Sequence, residues 1–402
     1  MIQILQALAA SIIPFVVVIS VIVTIHELGH FLTAKACGVA IDRFSLGFGR
    51  SIVSWRDRSG VEWRLGWIPL GGYVKFTGDE NVSSTPAGQD LDDLRRAIQA
   101  EHGPDAEKRY LAFKPLWQRT LIVLAGPFAN FVLSTVIFAG FFMVFGQPAT
   151  KAVVQQVVPH RAAAAAGFRP GDRIVAADGK SMPNFEQVLM YVQYRGGVPV
   201  DFTVERAGRP LHLEVTPTLV QQPSMFGGSQ GVGQIGIMVA PGGMEKVDPL
   251  TAVRLGVVRT WDVGATTLFY LGRIVTGQIA ADQLHSIVGM VHASGALTKQ
   301  AIDVAHQVKL NWLIPEATFL ASLAGVMSVS IGLLNLMPIP TLDGGHLVFY
   351  AYEWVARRPA AAKVQAVGYR AGLALLVGLM LFATWNDVAR LSVFRFLGSL
   401  FT

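Results

Sequence analysis

The stretch "IIPFVVVISVIVTIHELGHFLTAKA", residues 12–36, combines a membrane-length apolar run with two histidines and a glutamate. Glu27 is the first Asp, Glu, Lys or Arg in the chain. About 20 apolar residues suffice for a helix to cross the hydrocarbon core of a bilayer. Ionisable groups at that depth are costly and are usually kept for function. The stretch therefore predicts a membrane-spanning helix that carries a functional site.

The composition of the whole chain is that of a membrane protein. Of its 402 residues, 52% are apolar and 15% are charged, and the mean hydropathy is +0.44. Three further runs are long enough to cross a bilayer, residues 120–145, 317–337 and 371–385. The formal charge of +6 is modest and indicates basic loops rather than nucleic-acid binding. The single cysteine excludes an intramolecular disulfide and a cysteine-based zinc site.

The positive charges near the spans set an expected orientation. Basic residues follow the first span and none precedes it. Between the last two spans, residues 344–370 hold four basic residues and a single acid, Glu353. Because cytoplasmic loops are enriched in Lys and Arg, residues 37–116 and 344–370 are expected in the cytoplasm. Both termini, and the region of about 170 residues between the second and third spans, are then expected outside.

The two histidines of the first span have the spacing of a metal site. His26 and His30 are four residues apart, so on a helix they lie on one face. His-Glu-x-x-His lets two imidazoles hold one Zn²⁺ while the intervening Glu27 activates a bound water. The alternative is a core helix with polar side chains at a helix–helix interface. The metal reading is favoured because a charge buried in a membrane needs a partner.

A catalytic zinc takes a third protein ligand, and the candidate lies in "NLMPIPTLDGGH", residues 335–346. Two prolines are expected to end the helix there, and two glycines to permit a tight turn. From chemistry alone, Asp343 either ligates the metal or merely opens that turn. The first and third spans run in the same direction, however. His26 and Asn335 are therefore expected in the same half of the bilayer, where they could meet.

HELGH in the first span, together with NLMPIPTLDGG in a late one, resembles the site-2 family of intramembrane zinc metalloproteases. The bacterial branch called regulator of sigma-E protease is the most similar. Its second-span element is matched by "AGPFAN" (residues 125–130), and its cytoplasmic segment by "SLGFGR" (residues 45–50) and "IPLGGYVKF" (residues 68–76). These matches follow the same order along nearly the whole chain.

The resemblance implies a role for each residue of the candidate site. His26, His30 and Asp343 would ligate Zn²⁺, Glu27 would be the general base, and Asn335 would position substrate or stabilise the oxyanion. It also implies a multi-pass protein of the bacterial inner membrane, with its active site in the cytoplasmic half of the bilayer.

Between the first two spans, "RFSLGFGRSIVSW" and "VEWRLGWIPLGGYVKF" are β-rich runs joined by the turn-like "RDRSG" of residues 56–60. They predict a hairpin beside the zinc. Its strand edge could hold an unwound substrate helix in extended form. The alternative is a plain surface hairpin.

The region beyond the second span contains "AAAAAGFRPGDRIVAADGKSM" (residues 162–182), which resembles a bacterial PDZ domain, and residues 198–217 read as the hairpin that follows. Such a domain would bind peptide termini or act as a steric gate, and both readings stay open. Charges recur too often in residues 250–275 for a span, which favours a helix along the outer interface. Residues 284–291 depart from the Gly-Pro-Ile run of the family, so the shape of this flank is left open.

The sequence thus predicts an α-helical integral membrane protein with four transmembrane helices, a membrane-associated cytoplasmic β-hairpin and an inserted α+β PDZ domain. The predicted segments are 1–146 with two spans, HExxH and the hairpin, 147–245 with the PDZ domain, 246–316 as an interfacial amphipathic linker, and 317–402 with two spans and the Leu-Asp-Gly motif.

The implied function is a zinc-dependent intramembrane endopeptidase. Its expected partners are single-pass membrane proteins (anti-sigma factors or signal-peptide remnants), peptide termini at the PDZ domain, and the lipid bilayer. A non-catalytic PDZ adaptor has no need of Glu27, and a metal transporter would show repeated halves, which the sequence lacks.

Overall fold

A computed structural model describes residues 2–78, 95–96, 98–100, 103–148, 152–223, 229–240, 243–277 and 313–390. The flank at residues 284–291 lies outside this part of the chain. The described residues fall into two compact units. The first contains those up to residue 137 and those from 313 to 387, and the second contains residues 138–277 and 388–390.

The regular elements follow a simple order. In the described part of the chain the helices are α1 (Ile2–Ala36), α2 (Leu116–Phe145), α3 (Ala162–Ala165), α4 (Phe185–Gln193), α5 (Pro249–Val275), α6 (Leu313–Asn335), α7 (Asp343–Ala356) and α8 (Ala362–Arg390), with 3-10 turns at Ala106–Arg109 and Leu111–Phe113. The strands are β1 (Ile41–Arg56), β2 (Glu62–Phe76), β3 (Gln147–Pro148), β4 (Val154–Val157), β5 (Arg173–Ala177), β6 (Lys180–Ser181), β7 (Val200–Arg206), β8 (Arg209–Val215), β9 (Thr218–Pro223), β10 (Ser229–Gln234), β11 (Ile237–Val239) and β12 (Met244–Glu245).

Four of the described helices are long and apolar enough to cross a membrane, as predicted. The qualifying stretches are Ile12–Ala36, Leu116–Phe145, Ala317–Asn335 and Lys363–Trp385. The fourth begins eight residues before the predicted start at Ala371. Lys363 and Arg370 fit there because a long basic side chain near a helix end can reach the polar interface.

Three of these helices pack together in the first unit. In the middle of α1, Phe15, Val18 and Ile22 pack with Ala324 and Met327 of α6, and Leu133 of α2 packs against the same cluster. Near the C-terminal ends of α1 and α6, the side chains of His26 and Asn335 meet. The two helices therefore run parallel, which is the common direction that the sequence predicted.

The predicted hairpin is present as the antiparallel pair β1–β2. A cluster that contains Phe31 of α1, Phe44 of β1 and Trp63 of β2 anchors it to the first helix. In its turn, Asp57 accepts hydrogen bonds from Ser59. These bonds lower the pKa of the Asp57 carboxyl to about 2, because they favour its charged form.

The second unit contains a four-stranded sheet in the order β6-β5-β7-β8. Its core is formed by residues from the sheet and from α4, among them Ile174, Val188 and Phe202. Fully buried Asp172 pairs with Arg206, which satisfies the buried carboxylate. This is the α+β domain that the sequence predicted after the second span.

Helix α5 packs within the second unit. Arg273 donates hydrogen bonds to the carbonyl oxygens of Tyr194 and Gly196, and the Arg195 guanidinium lies 4.3 Å from the ring centre of Phe269. The helix is not among the candidate spans of the described residues. This part of the predicted 246–316 linker is therefore joined to the α+β domain by specific contacts.

Candidate metal centre

Three side-chain atoms from the two predicted motifs converge. His26 Nε2 lies 3.2 Å from His30 Nε2, and Asp343 Oδ2 lies 3.2 Å and 3.4 Å from these two nitrogens. Ligands of a tetrahedral zinc, each about 2.0–2.1 Å from the metal, are about 3.3 Å apart. The three atoms are therefore already spaced as three corners of a zinc tetrahedron. The separations fit the predicted metal.

Helix α2 determines which nitrogen of His30 faces the cluster. His30 Nδ1 lies 2.8 Å from the carbonyl oxygen of Ile122. Because a carbonyl oxygen only accepts hydrogen bonds, Nδ1 carries the proton and donates. The lone pair of the neutral ring is then on Nε2, which is the atom that faces His26 and Asp343. The backbone of α2 thus orients His30 as a metal ligand.

Asn130 of α2 orients the ring of His26 in a similar way. Its amide lies 3.2 Å from His26 Nδ1. Its side chain is completely buried, and no described residue forms a hydrogen bond with its Oδ1. The two ends of an amide are exchanged by a simple flip. In the flipped orientation Oδ1 accepts the proton of His26 Nδ1, which leaves Nε2 free for a metal. Asn130 was not among the predicted site residues, although it ends the "AGPFAN" match.

Asp343 brings an unsatisfied carboxylate oxygen to the cluster. It is the first residue of α7, where the positive end of the helix dipole favours an anion. Its Oδ2 is buried and has no hydrogen-bond partner among the described residues. A buried charged oxygen without a partner is costly, and a cation would satisfy it. The donor set of two imidazoles and one carboxylate suits zinc.

The glycines after Asp343 have a different role from the expected one. Gly344 and Gly345 do not form a turn but lie buried in the first turn of α7. A Cβ on Gly344 would lie 2.2 Å from the carbonyl oxygen of Met337. These glycines therefore allow the loop after α6 to pass close against α7, which brings Asn335 and Asp343 to the same site.

A glycine of α2 leaves room for both imidazoles. A Cβ on Gly126 would lie 2.2 Å from His30 Nε2 and 2.9 Å from His26 Cε1. No side chain larger than hydrogen fits at this position while the rings keep their places. Gly126 belongs to the same "AGPFAN" element that ends with Asn130, so this element lines one wall of the centre.

Glu27 lies beside the three ligands and faces the hairpin. Its partly buried side chain is close enough to interact electrostatically with His26, His30 and Asp343. A Cβ on Gly72 would lie 3.1 Å from Glu27 Cγ. The strand β2 thus runs directly alongside the predicted base.

Asn335 ends α6 at the same cluster. Its Nδ2 lies 3.2 Å from His26 Nε2, so its amide is directed toward the point where the three ligand atoms meet. All five predicted site residues are therefore brought together, although up to 309 positions separate hydrogen-bonded partners along the chain.

Glu353, the next acid after Asp343, has another partner. Its two carboxylate oxygens accept hydrogen bonds from the two terminal nitrogens of Arg119 at the start of α2. The Arg119 guanidinium is buried and lies 5.0 Å from the ring centre of Tyr350. Glu353 therefore joins α7 to α2 and is not a ligand candidate.

The chain is similar to known metalloproteases along nearly its whole length. The model of peptidase family M50 matches residues 14–379. The metalloprotease MmpA of Caulobacter vibrioides is 50% identical, over 96% of this chain and 97% of its own length. The zinc metalloprotease RasP of Geobacillus kaustophilus is 30% identical, over 94% and 98%. A solved PDZ domain of an SdrC-like protein from Listeria monocytogenes aligns with 22% of this chain and 85% of its own, at 19% identity and a TM-score of 0.19.

Proposed function

Because the chain belongs to peptidase family M50, we propose that it is a zinc-dependent intramembrane endopeptidase that cleaves single-pass membrane proteins. Its relatives are named as metalloproteases and zinc metalloproteases over nearly their whole length. The observation that carries the proposal is the convergence of His26, His30 and Asp343 at zinc-like spacing beside Glu27. This combination favours the protease over a PDZ adaptor or a metal transporter.

When bound, zinc supplies Lewis acidity that acidifies a water and polarises a carbonyl oxygen. Glu27 is placed to take a proton from the attacking water and to deliver it to the leaving amine. The strand β2 runs alongside this side chain at Gly72. The amide of Asn335 is a hydrogen-bond donor near the reacting carbonyl, where negative charge develops in the transition state.

The strand beside the base supports a mode of substrate binding. A transmembrane helix keeps its peptide bonds inside its own hydrogen bonds, so it has to unwind before it is cut. The β2 edge could pair with the unwound stretch and keep it extended. Gly72 has no side chain to separate such a strand from Glu27. Single-pass proteins such as anti-sigma factors and signal-peptide remnants are the substrate types proposed.

We also propose a membrane location for the chain and a role for its α+β domain. The basic residues near the spans favour a bacterial inner-membrane protein with both termini and the α+β domain on the periplasmic side. The metal centre then lies in the cytoplasmic half of the bilayer. The α+β domain would serve as a PDZ domain that reads peptide termini or limits the size of substrates.

The direct test is Glu27→Gln in the purified full-length protein. The three ligands remain, so zinc content should equal that of wild type, while cleavage of a model single-pass substrate should fall by several orders of magnitude. Exposed Glu214 of β8 provides a matched control, because Glu214→Gln should keep both properties. Substantial turnover by Glu27→Gln would exclude its role as the base.

A further inference from the structure

A polar cavity of about 560 Å³ lies at the C-terminal end of α1, between that helix end and the hairpin. It is separate from the metal centre and shares none of its residues. Five basic side chains and two acidic ones line it. They are Lys35, Arg43, Arg56, Lys75 and Arg109, with Asp42 and Glu62.

One of the two acids of this cavity is paired with a cation, and the other keeps its charge. Glu62 forms an ion pair with Arg43, with 2.7 Å between Oε2 and Nε. Asp42 accepts a hydrogen bond from the hydroxyl of Thr77. Lys35 donates to the hydroxyl of Ser59, which does not neutralise its charge.

Once Arg43 is paired with Glu62, four cations and the single anion Asp42 remain, so the lining carries a net charge of +3. Among the residues that the structure describes, no carboxylate forms an ion pair with Lys35, Arg56, Lys75 or Arg109. Mutual repulsion of clustered cations is unfavourable, and an anion in the cavity would relieve it. The cavity thus has the charge of an anion site.

Its surroundings are those of a membrane–water interface. Lys35 lies in the last turn of α1, where the apolar stretch ends. Trp55, next to Arg56 in sequence, is 55% exposed, and Trp117 in the first turn of α2 is 63% exposed. Tryptophan and basic residues are enriched where a membrane protein crosses the headgroup layer. The Ala40 amide donates to the Arg109 carbonyl, which ties together the chain segments that leave α1 and enter α2.

We propose that this cavity binds the phosphate of an anionic phospholipid headgroup. Arginine and lysine form strong charge-assisted hydrogen bonds to phosphate oxygens. Basic pockets next to membrane helices are a known way to recognise acidic headgroups. The phosphate of a lipid is already held in the headgroup layer beside the cavity, whereas free phosphate has to enter from the water. The favoured ligand is therefore phosphatidylglycerol or another anionic lipid.

The test measures lipid binding to the full-length protein. The double variant Arg56→Gln/Arg109→Gln removes two cations of the lining. Arg58→Gln/Lys108→Gln removes two neighbouring cations that do not line the cavity, so both variants lose the same charge. Titration with phosphatidylglycerol in a neutral detergent, followed by native mass spectrometry, gives the affinity. If each cation that contacts the headgroup phosphate contributes about fivefold, the lining variant should bind roughly thirty-fold more weakly. The control cations lie outside the cavity and should change the affinity little.

Parallel titrations distinguish the sources of the anion. If inorganic phosphate binds much more weakly than phosphatidylglycerol, the result supports the lipid headgroup as the ligand. Inorganic phosphate that binds equally well, with the same dependence on Arg56 and Arg109, supports the phosphate chemistry and assigns it to a soluble ion. Equal losses in both double variants would overturn the proposal. It would also be overturned if the binding of a polyglutamate peptide depended on Arg56 and Arg109 while the binding of phosphatidylglycerol and of inorganic phosphate did not. Zinc content near that of wild type verifies that each variant is folded.

Discussion

The Gly126→Ala substitution adds a single methyl group where α2 faces the two imidazoles of α1. That methyl carbon would lie 2.2 Å from His30 Nε2 and 2.9 Å from His26 Cε1. Ordinary van der Waals contact starts at 3.4 Å, so the nitrogen has to move by about 1.2 Å. Zinc–ligand distances in real sites stay within about 0.2 Å of their usual values. His30 cannot therefore remain a ligand unless the helices separate.

The size of the effect follows from the loss of one of three ligands. Mutating an outer partner of a ligand already costs 10–100-fold in metal affinity. Displacing the ligand itself should cost more, so we expect zinc affinity to fall by at least about 100-fold, or about 2.8 kcal/mol. Proteolytic activity should be lost with the metal.

Zinc affinity is measured by competition with a chelator on the purified full-length protein, with helical content checked by circular dichroism. Gly140→Ala is the matched control, because it lies in the same helix and its new Cβ would meet nothing within 4 Å. Tight, stoichiometric zinc binding by Gly126→Ala, with activity retained, would show that the imidazoles do not face α2 in this way.

Three further outcomes are expected. Asp343→Asn removes the only anionic ligand while it keeps the shape, so metal analysis after dialysis should show much less zinc and no activity. Asn130→Leu removes the acceptor for His26 Nδ1 and should weaken zinc binding by about 10–100-fold in the same chelator assay. Glu353→Gln should keep the zinc, contrary to a ligand role, but should lower the unfolding free energy by up to about 3 kcal/mol, because it leaves a buried guanidinium without its anion.

The pair in the α+β domain predicts a dependence on pH. Burial opposes ionisation of Asp172, but the hydrogen bonds from Arg206 outweigh burial and hold the pKa of Asp172 below its usual value. A lowered folded-state pKa stabilises the fold above the unfolded value of about 3.9, and this stabilisation is lost as pH falls through the folded value. The difference in unfolding temperature between wild type and Arg206→Gln should therefore shrink below about pH 4. Exposed Arg209→Gln should show no such difference.

The local elements of this protein follow directly from its sequence. The apolar runs determine the four long helices, because backbone hydrogen bonds have to be satisfied within each segment in a bilayer. The four-residue spacing places His26 and His30 on one face, since the helical repeat requires it. The β-rich runs on either side of residues 56–60 likewise determine the hairpin.

The assembly of the metal centre depended on contacts between distant segments. Asn130 and Gly126 belong to the centre because α2 packs against α1. Neither residue has a local sequence signal for metal binding. The glycines after Asp343 resembled turn residues in the sequence, whereas the structure uses them for close packing within α7. Helical and strand periodicity is repeated every few residues and can be read locally. The choice of a partner more than 90 positions away depends on how whole surfaces fit, which only the tertiary structure decides.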